Sequence, residues 1–115
     1  MAKKTNTEIG RQGELKALDL LLSKGYIILE TNYRYKRCEI DIIASCNNTI
    51  VFVEVKFRKS QFFGNPEEFV TDAQAERVHA AAEQYTFEKK WNQNIRFDII
   101  AITANSDVLH IEDAF

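Results

Sequence analysis

The sequence predicts an α/β domain, a central mixed sheet flanked by helices, in the order αβββαββ. Two observations lead there. Two segments carry apolar residues at three- and four-residue spacing, as helices do, and five shorter segments are rich in β-branched residues. The first three strand-like segments follow one another directly, which feeds a hairpin sheet, and the second helical segment stands between the third and fourth as a crossover. The chain has 115 residues, 45% hydrophobic and 28% charged with one proline, so residues 1–115 read as a single domain of common size.

Each element has its own signal. Thr5-Asn6-Thr7 offers helix-capping chemistry, Leu15, Leu18, Leu21 and Leu22 recur at helical spacing, and Gly25 follows as a stop, giving a helix over residues 7–24. Residues 26–34 are strand-like and residues 39–44 form a second strand. Asn47 and Asn48 tolerate positive φ and mark a turn. Residues 49–57, TIVFVEVKF, are the strongest strand in the chain. A glycine- and proline-marked loop follows, containing Phe62 and Phe63, which are candidates for packing or for stacking on bases. Thr71 then opens a second helix with Gln74 as its capping-box partner. Val78, Ala81, Ala82 and Tyr85 are its buried stripe, and it ends near Lys90, where Lys89 and Lys90 suit the negative end of the dipole. Residues 95–103 and 108–112 are the last two strands. Trp91 reads as core, and His79 and His110 as structural or surface residues without a partner pattern.

Composition narrows the function. No apolar run approaches the ~20 residues of a membrane span, and the first ten residues lack an apolar signal core, so a cytoplasmic protein with no membrane partner is expected. Cys38 and Cys46 form no CxxC pattern and read as small, half-buried residues rather than a disulfide or metal pair. Net charge is −2 with a pI near 5.7, which excludes a globally basic nucleic-acid binder. The charge is unevenly spread. Residues 31–60 hold six basic and three acidic side chains, net +3, whereas residues 61–115 hold four basic and ten acidic, net −6. A local basic field can attract a phosphate backbone, and it can equally be a solvated edge.

The three acids of the middle block are Glu39, Asp41 and Glu54, all inside strands. Strict alternation puts Glu39 and Asp41 on one face of the second strand, with Ile40 and Ile42 on the other. It likewise pairs Glu54 with Lys56. If the hairpin register brings the acidic faces together, Asp41 and Glu54 become neighbours, and two such carboxylates need a proton or a cation between them. Mg²⁺ fits, because it takes one or two carboxylates and completes its shell with water and phosphate oxygens. A sheet with one face in water would give the same pattern.

Glu-Ile-Asp (39–41), twelve residues, then Glu-Val-Lys (54–56) resembles the core of the PD-(D/E)XK, or restriction-endonuclease-like, nuclease superfamily. The wider set is similar to the YraN family of uncharacterised bacterial proteins: GRQGELKALDLLLSKGYIILETNYR, EIDIIA, VFVEVKFRKSQFFGNPEEFVT, RFDIIAIT and IEDAF, in that order over nearly the whole chain. Archaeal Holliday-junction resolvases look like the nearest relatives with a known reaction. The resemblance implies a restriction-endonuclease-like fold and an Mg²⁺- or Mn²⁺-dependent endonuclease acting on nucleic acid, DNA foremost, by in-line attack of metal-activated water. It implies that Asp41 and Glu54 bind the metal, Lys56 steadies water or phosphate charge, Glu14 completes the site from the first helix, and Glu39 is an extra ligand or supporting group. Arg34 and Arg58 would hold the backbone, and Lys59 extends the same basic run. Cleavage of a symmetric four-way junction would imply a homodimer. Two residues depart from the family pattern: Cys38 stands where glycine is usual, and Gln74 where lysine is usual. A catalytically silent nucleic-acid-binding module and a protein-interaction domain of the same fold are the alternative readings.

Overall fold

A computed structural model describes residues 6–58 and 70–115, with side chains from residue 10 onward. Its elements are α1 (Asn6–Ser23), β1 (Ile27–Tyr35), β2 (Cys38–Cys46), β3 (Thr49–Arg58), α2 (Asp72–Glu88), β4 (Asn94–Thr103) and β5 (Val108–Ile111). This is the αβββαββ order expected. Thr5, Lys59, Phe62 and Phe63 lie outside the described residues.

The strands form one sheet in sequence order. β1, β2 and β3 pair antiparallel, α2 carries the chain to β4 parallel to β3, and β5 returns antiparallel. The sheet is therefore mixed. Local chemistry fixes its joints. Gly25 takes φ +87°, and the Tyr26 and Gly25 N–H groups donate to the Leu21 and Leu22 carbonyls, each at 3.0 Å, which closes α1. Asn47 and Asn48 take φ 50° and 59° between the paired residues Cys46 and Thr49, the two-residue turn that matches strand twist. At the start of α2 the Thr71 hydroxyl accepts from the Gln74 N–H, and the Gln74 side chain accepts from the Thr71 N–H, both at 3.2 Å. α2 ends at Glu88; Lys89 is its cap, and Lys90 turns the chain at φ 53°.

Each face of the sheet carries a helix and a core. Under α1, Ala17, Leu21 and Tyr26 pack on Ile42, Ala44, Val51, Val53, Ile100 and Ile102. Under α2, Val78, Ala81, Ala82 and Tyr85 pack on Tyr33, Ile40, Ile43, Ile50 and Phe52. Phe52 is fully buried between the rings of Tyr85 and Phe97, burial worth about 2–3 kcal/mol relative to water. Trp91 packs at the margin of this core, its Nε1–H donating to the Asn94 carbonyl, and the His79 ring lies against Phe97 and Phe115.

One expectation fails. Ile40 and Ile42 do not share a face: Ile40 belongs to the α2 core and Ile42 to the α1 core. β2 therefore departs from regular alternation at Asp41. Across from it in β1, Asn32 takes φ 54°, and no pair is formed there although Thr31 pairs with Ile42 and Tyr33 with Ile40.

Candidate metal centre

The irregularity is what builds the site. β2 and β3 pair from Cys46↔Thr49 up to Ile42↔Val53 and no further, while β3 continues beside β4 to Arg58↔Thr103. Asp41 and Glu54 are the next residues in register, directly opposite each other where the strands part. The side chains stand in for the missing ladder. The Val55 N–H donates to Asp41 Oδ2 at 2.8 Å, and the Asp41 backbone N–H faces the Glu54 carboxylate and favours its charged form. Backbone donors are thereby satisfied and two acids are pinned at a fork.

Two further carboxylates arrive from the α1 side. At Gly13 an added Cβ would stand 3.5 Å from Ile102 and 3.9 Å from Val55, so α1 sits at contact distance above β3 and β4 immediately before Glu14. Carboxylate oxygens of Glu14, Glu39 and Asp41 all lie within 4.8 Å of one another. Asn32 links two of them: with its amide nitrogen facing the acids, it donates to Glu39 Oε1 at 2.9 Å and Glu14 Oε1 at 3.2 Å. Glu54 stands outside this triple. Its Oε1 is buried without a hydrogen-bond partner among the described residues, and its Oε2 is 4.0 Å from Lys56 Nζ.

The electrostatics follow from this crowding. Burial pushes the Asp41 carboxyl up to about 6; Glu14 and Glu39 add to the rise, and the Val55 N–H and Lys56 oppose it. Burial and the charge of Asp41 push Glu54 up to about 8, against the pull of Lys56 and the Asp41 N–H. Lys56 beside Glu54 and the exposed Arg34 on Glu39 do not balance four carboxylates. The donors are all oxygens, one of them orphaned, which is the set that a hard divalent cation such as Mg²⁺ or Mn²⁺ prefers. The residues present fit such an ion.

The other expected site residues divide. Arg34 is paired in register with Glu39 and forms an ion pair with it at 3.0 Å, its side chain 79% exposed. Arg58 is half-buried at the end of β3. Cys38 and Cys46 are free thiols. Asn32 was not singled out by sequence reasoning; its one signal was an asparagine inside a strand-like run, where a residue tolerant of left-handed backbone is out of place.

A second buried network surrounds Asp98, the charge that breaks the apolar run of β4. Asp98, fully buried on β4, accepts from Arg96 Nε at 2.9 Å and Nη2 at 2.8 Å, from the Asp113 N–H at 3.0 Å and from His110 Nε2 at 2.7 Å. Burial alone would raise its carboxyl; the bonds from His110, Arg96 and the Asp113 N–H together hold it below the usual range. Since the Lys24 ammonium is 2.9 Å from His110 Nδ1 and can only donate, His110 carries its proton on Nε2. His110 thus has the structural role expected of it, with two partners that no sequence pattern announced. This network ties the end of α1 to β4 and β5, about 15 Å along the helix from Glu14. The cleft of about 800 Å³ between the β2–β3 turn and the end of α2, lined by Ile27, Leu29, Ile50, Tyr85 and Trp91, contains none of the acids.

The profile of the uncharacterised protein family UPF0102, the YraN family, matches residues 13–102. The chain belongs to the YraN family. It is 43% identical over 113 residues to a UPF0102 protein of Christiangramia forsetii, covering 96% of this chain and 95% of that one. It is 45% identical over 108 residues to one of Thermodesulfovibrio yellowstonii, covering 94% and 96%, and 42% identical over 116 residues to one of Alkaliphilus oremlandii, covering 96% and 99%. Glu14, Asn32, Glu39, Asp41, Glu54 and Lys56 all fall inside the YraN match. The two departures from the family pattern are accommodated. Cys38 is not among the residues with positive φ, and the left-handed residue of that turn is Lys36, at 56°, so nothing at Cys38 requires glycine. Gln74 completes the α2 capping box.

Proposed function

We propose that this YraN protein is a metal-dependent endonuclease domain that binds nucleic acid, DNA foremost, and hydrolyses its phosphodiester bonds. The observation that carries the reading is the gathering of Glu14, Glu39, Asp41, Glu54 and Lys56 where β2 and β3 part. A fold gains nothing from holding four carboxylates together unless a cation joins them, and Lys56 supplies the donor that phosphate chemistry needs beside it. Glu14, Glu39 and Asp41, whose carboxylate oxygens lie within 4.8 Å of one another, would hold Mg²⁺ or Mn²⁺, and Glu54, outside that triple, would approach from the β3 side. When bound, such an ion supplies Lewis acidity to a phosphoryl oxygen and lowers the pKa of water. Asp41, bonded by the Val55 N–H at the fork, would define where the phosphate is presented. Lys56 shares the face of Glu54 on β3 and its ammonium lies beside that carboxylate, placed to stabilise charge developing on the phosphoryl oxygens.

The test is cleavage of labelled linear, flapped and four-way DNA, and of RNA, with Mg²⁺ or Mn²⁺. Wild type should cut, and Lys56→Ala should lose about 10²–10³ in rate with metal affinity retained, since the interaction is made chiefly in the transition state. Equal rates for wild type and Lys56→Ala would assign the activity to something other than this site. A wild type that binds nucleic acid and cuts none of these substrates is a binding module.

A further inference from the structure

The α2 side of the fork carries a feature that metal chemistry does not use. Behind Glu54 is a cleft of about 170 Å³, walled by Gln74 and Arg77 of α2, by Arg37 of the β1–β2 turn, by Cys38 and by Glu39, whose carboxylate is already paired with Arg34. At about 30 Å³ per water it holds five or six waters, comparable to the heavy atoms of one phosphate group. The ion pairs of the described residues involve neither Arg37 nor Arg77. Arg77 is near enough to Cys38 to act on its thiol, as Glu54 and Glu39 also are. Both arginines have rigid supports: Arg77 precedes the buried Val78 on a capped helix, and Arg37 sits in a two-residue turn between paired Tyr35 and Cys38. A planar guanidinium matches phosphate oxygens in two parallel bonds. Two exposed guanidinium groups on ordered backbone, lining one cleft and outside the ion pairs of the described residues, are placed to receive an anion from outside.

We infer that Arg37 and Arg77 seat a backbone phosphate next to the one presented to the acid cluster, so that the nucleic-acid strand runs from Lys56 across the start of α2. The inference rests on the nucleic-acid reading above and adds the strand's path. It makes α2, and not only the basic run of residues 56–59, part of the binding face.

Fluorescence anisotropy with labelled duplex and single-stranded DNA, in EDTA so that no cleavage intervenes, tests it over a fourfold rise in salt. Each lost phosphate contact reduces the slope of log affinity against log salt by about 0.9 on duplex or 0.7 on a single strand, so wild type should lose about 3.5-fold more duplex affinity over that range than Arg77→Ala or Arg37→Ala. The double variant should lose two such contacts, and Arg77→Lys should keep the wild-type slope. Lys89→Ala, about 18 Å further along α2, should behave as wild type. In a Cys46→Ser background, bound DNA should also slow alkylation of Cys38. Melting curves of the exposed-arginine variants check folding. If wild type binds but both arginine variants keep its slope and Cys38 stays equally reactive, the strand lies elsewhere and this inference alone is overturned. If wild type binds no nucleic acid at any salt, the functional reading falls and the inference with it.

Discussion

Replacing Glu54 with glutamine should stabilise the metal-free protein, although it removes a residue central to the proposed chemistry. Glu54 titrates near 4.5 in the unfolded chain and is pushed up to about 8 in the fold, by burial first and by Asp41 second. A carboxyl raised on folding contributes stability that is complete below its unfolded pKa and is lost as pH rises through its folded pKa. Between about pH 4.5 and pH 8, folding therefore grows weaker because the native state must hold a proton that the unfolded chain releases. At pH 7 the gap to the unfolded value is about 2.5 pH units, and at ~1.4 kcal/mol per unit holding the proton costs about 3 kcal/mol. Glutamine is neutral, nearly isosteric and still able to accept from the Asp41 N–H, so Glu54→Gln avoids that cost. At roughly 4 °C per kcal/mol for a chain of this size, Tm at pH 7 in EDTA should rise by about 10 °C. The assay is a set of melting curves from pH 5 to pH 8.5 in EDTA. Wild-type Tm should fall across the series and the variant's much less. A lower Tm for Glu54→Gln at pH 7, or parallel pH profiles, would refute the claim that Glu54 is a strained, buried acid.

Three other perturbations probe the supports of the site and fold. Asn32→Asp keeps shape but replaces a donor with a carboxylate facing Glu14 and Glu39; it should cost about 1–3 kcal/mol in EDTA by denaturant unfolding, with Mn²⁺ recovering part of the loss, and an unchanged midpoint would remove Asn32 from the cluster. Asp98→Asn should cost about 2–3 kcal/mol by urea unfolding, because Arg96 and His110 lose the buried anion they share, while metal affinity should be unchanged. Thr71→Ala breaks the capping box of α2 and should cost about 1 kcal/mol, read as a shift in the same midpoint.

Most of the architecture is visible in the residues because its signals are local. Asn47-Asn48, Gly25 and the Thr71–Gln74 pair fix their own turns and caps, and element ends fall within about two residues of expectation. The sites depend on register and on faces, which local signals do not carry. Alternation puts Ile40 and Ile42 together, yet the chain bends at Asp41, and it is this bend that frees the fork. The role of Asn32 depends on a helix and a second strand coming to it from elsewhere in the chain. Asp98 was legible only as a charge that breaks an apolar strand, and His110 reaches it because β5 pairs Ile100 with His110. Charges inside apolar strands marked the right residues. Which of them meet was decided by where the ladders stop.

The central claim, that the fork is a divalent-metal site, is tested most directly by calorimetric titration of Mn²⁺ into EDTA-stripped protein at pH 7 in buffers of different ionisation heat. The account predicts saturable binding that releases about one proton, because at pH 7 Glu54, pushed up to about 8, still holds its proton in the free protein and loses it when a cation arrives beside it, and it predicts that Asp41→Asn abolishes the binding. Absence of saturable binding at millimolar Mn²⁺, or binding to Asp41→Asn with wild-type affinity, would contradict it.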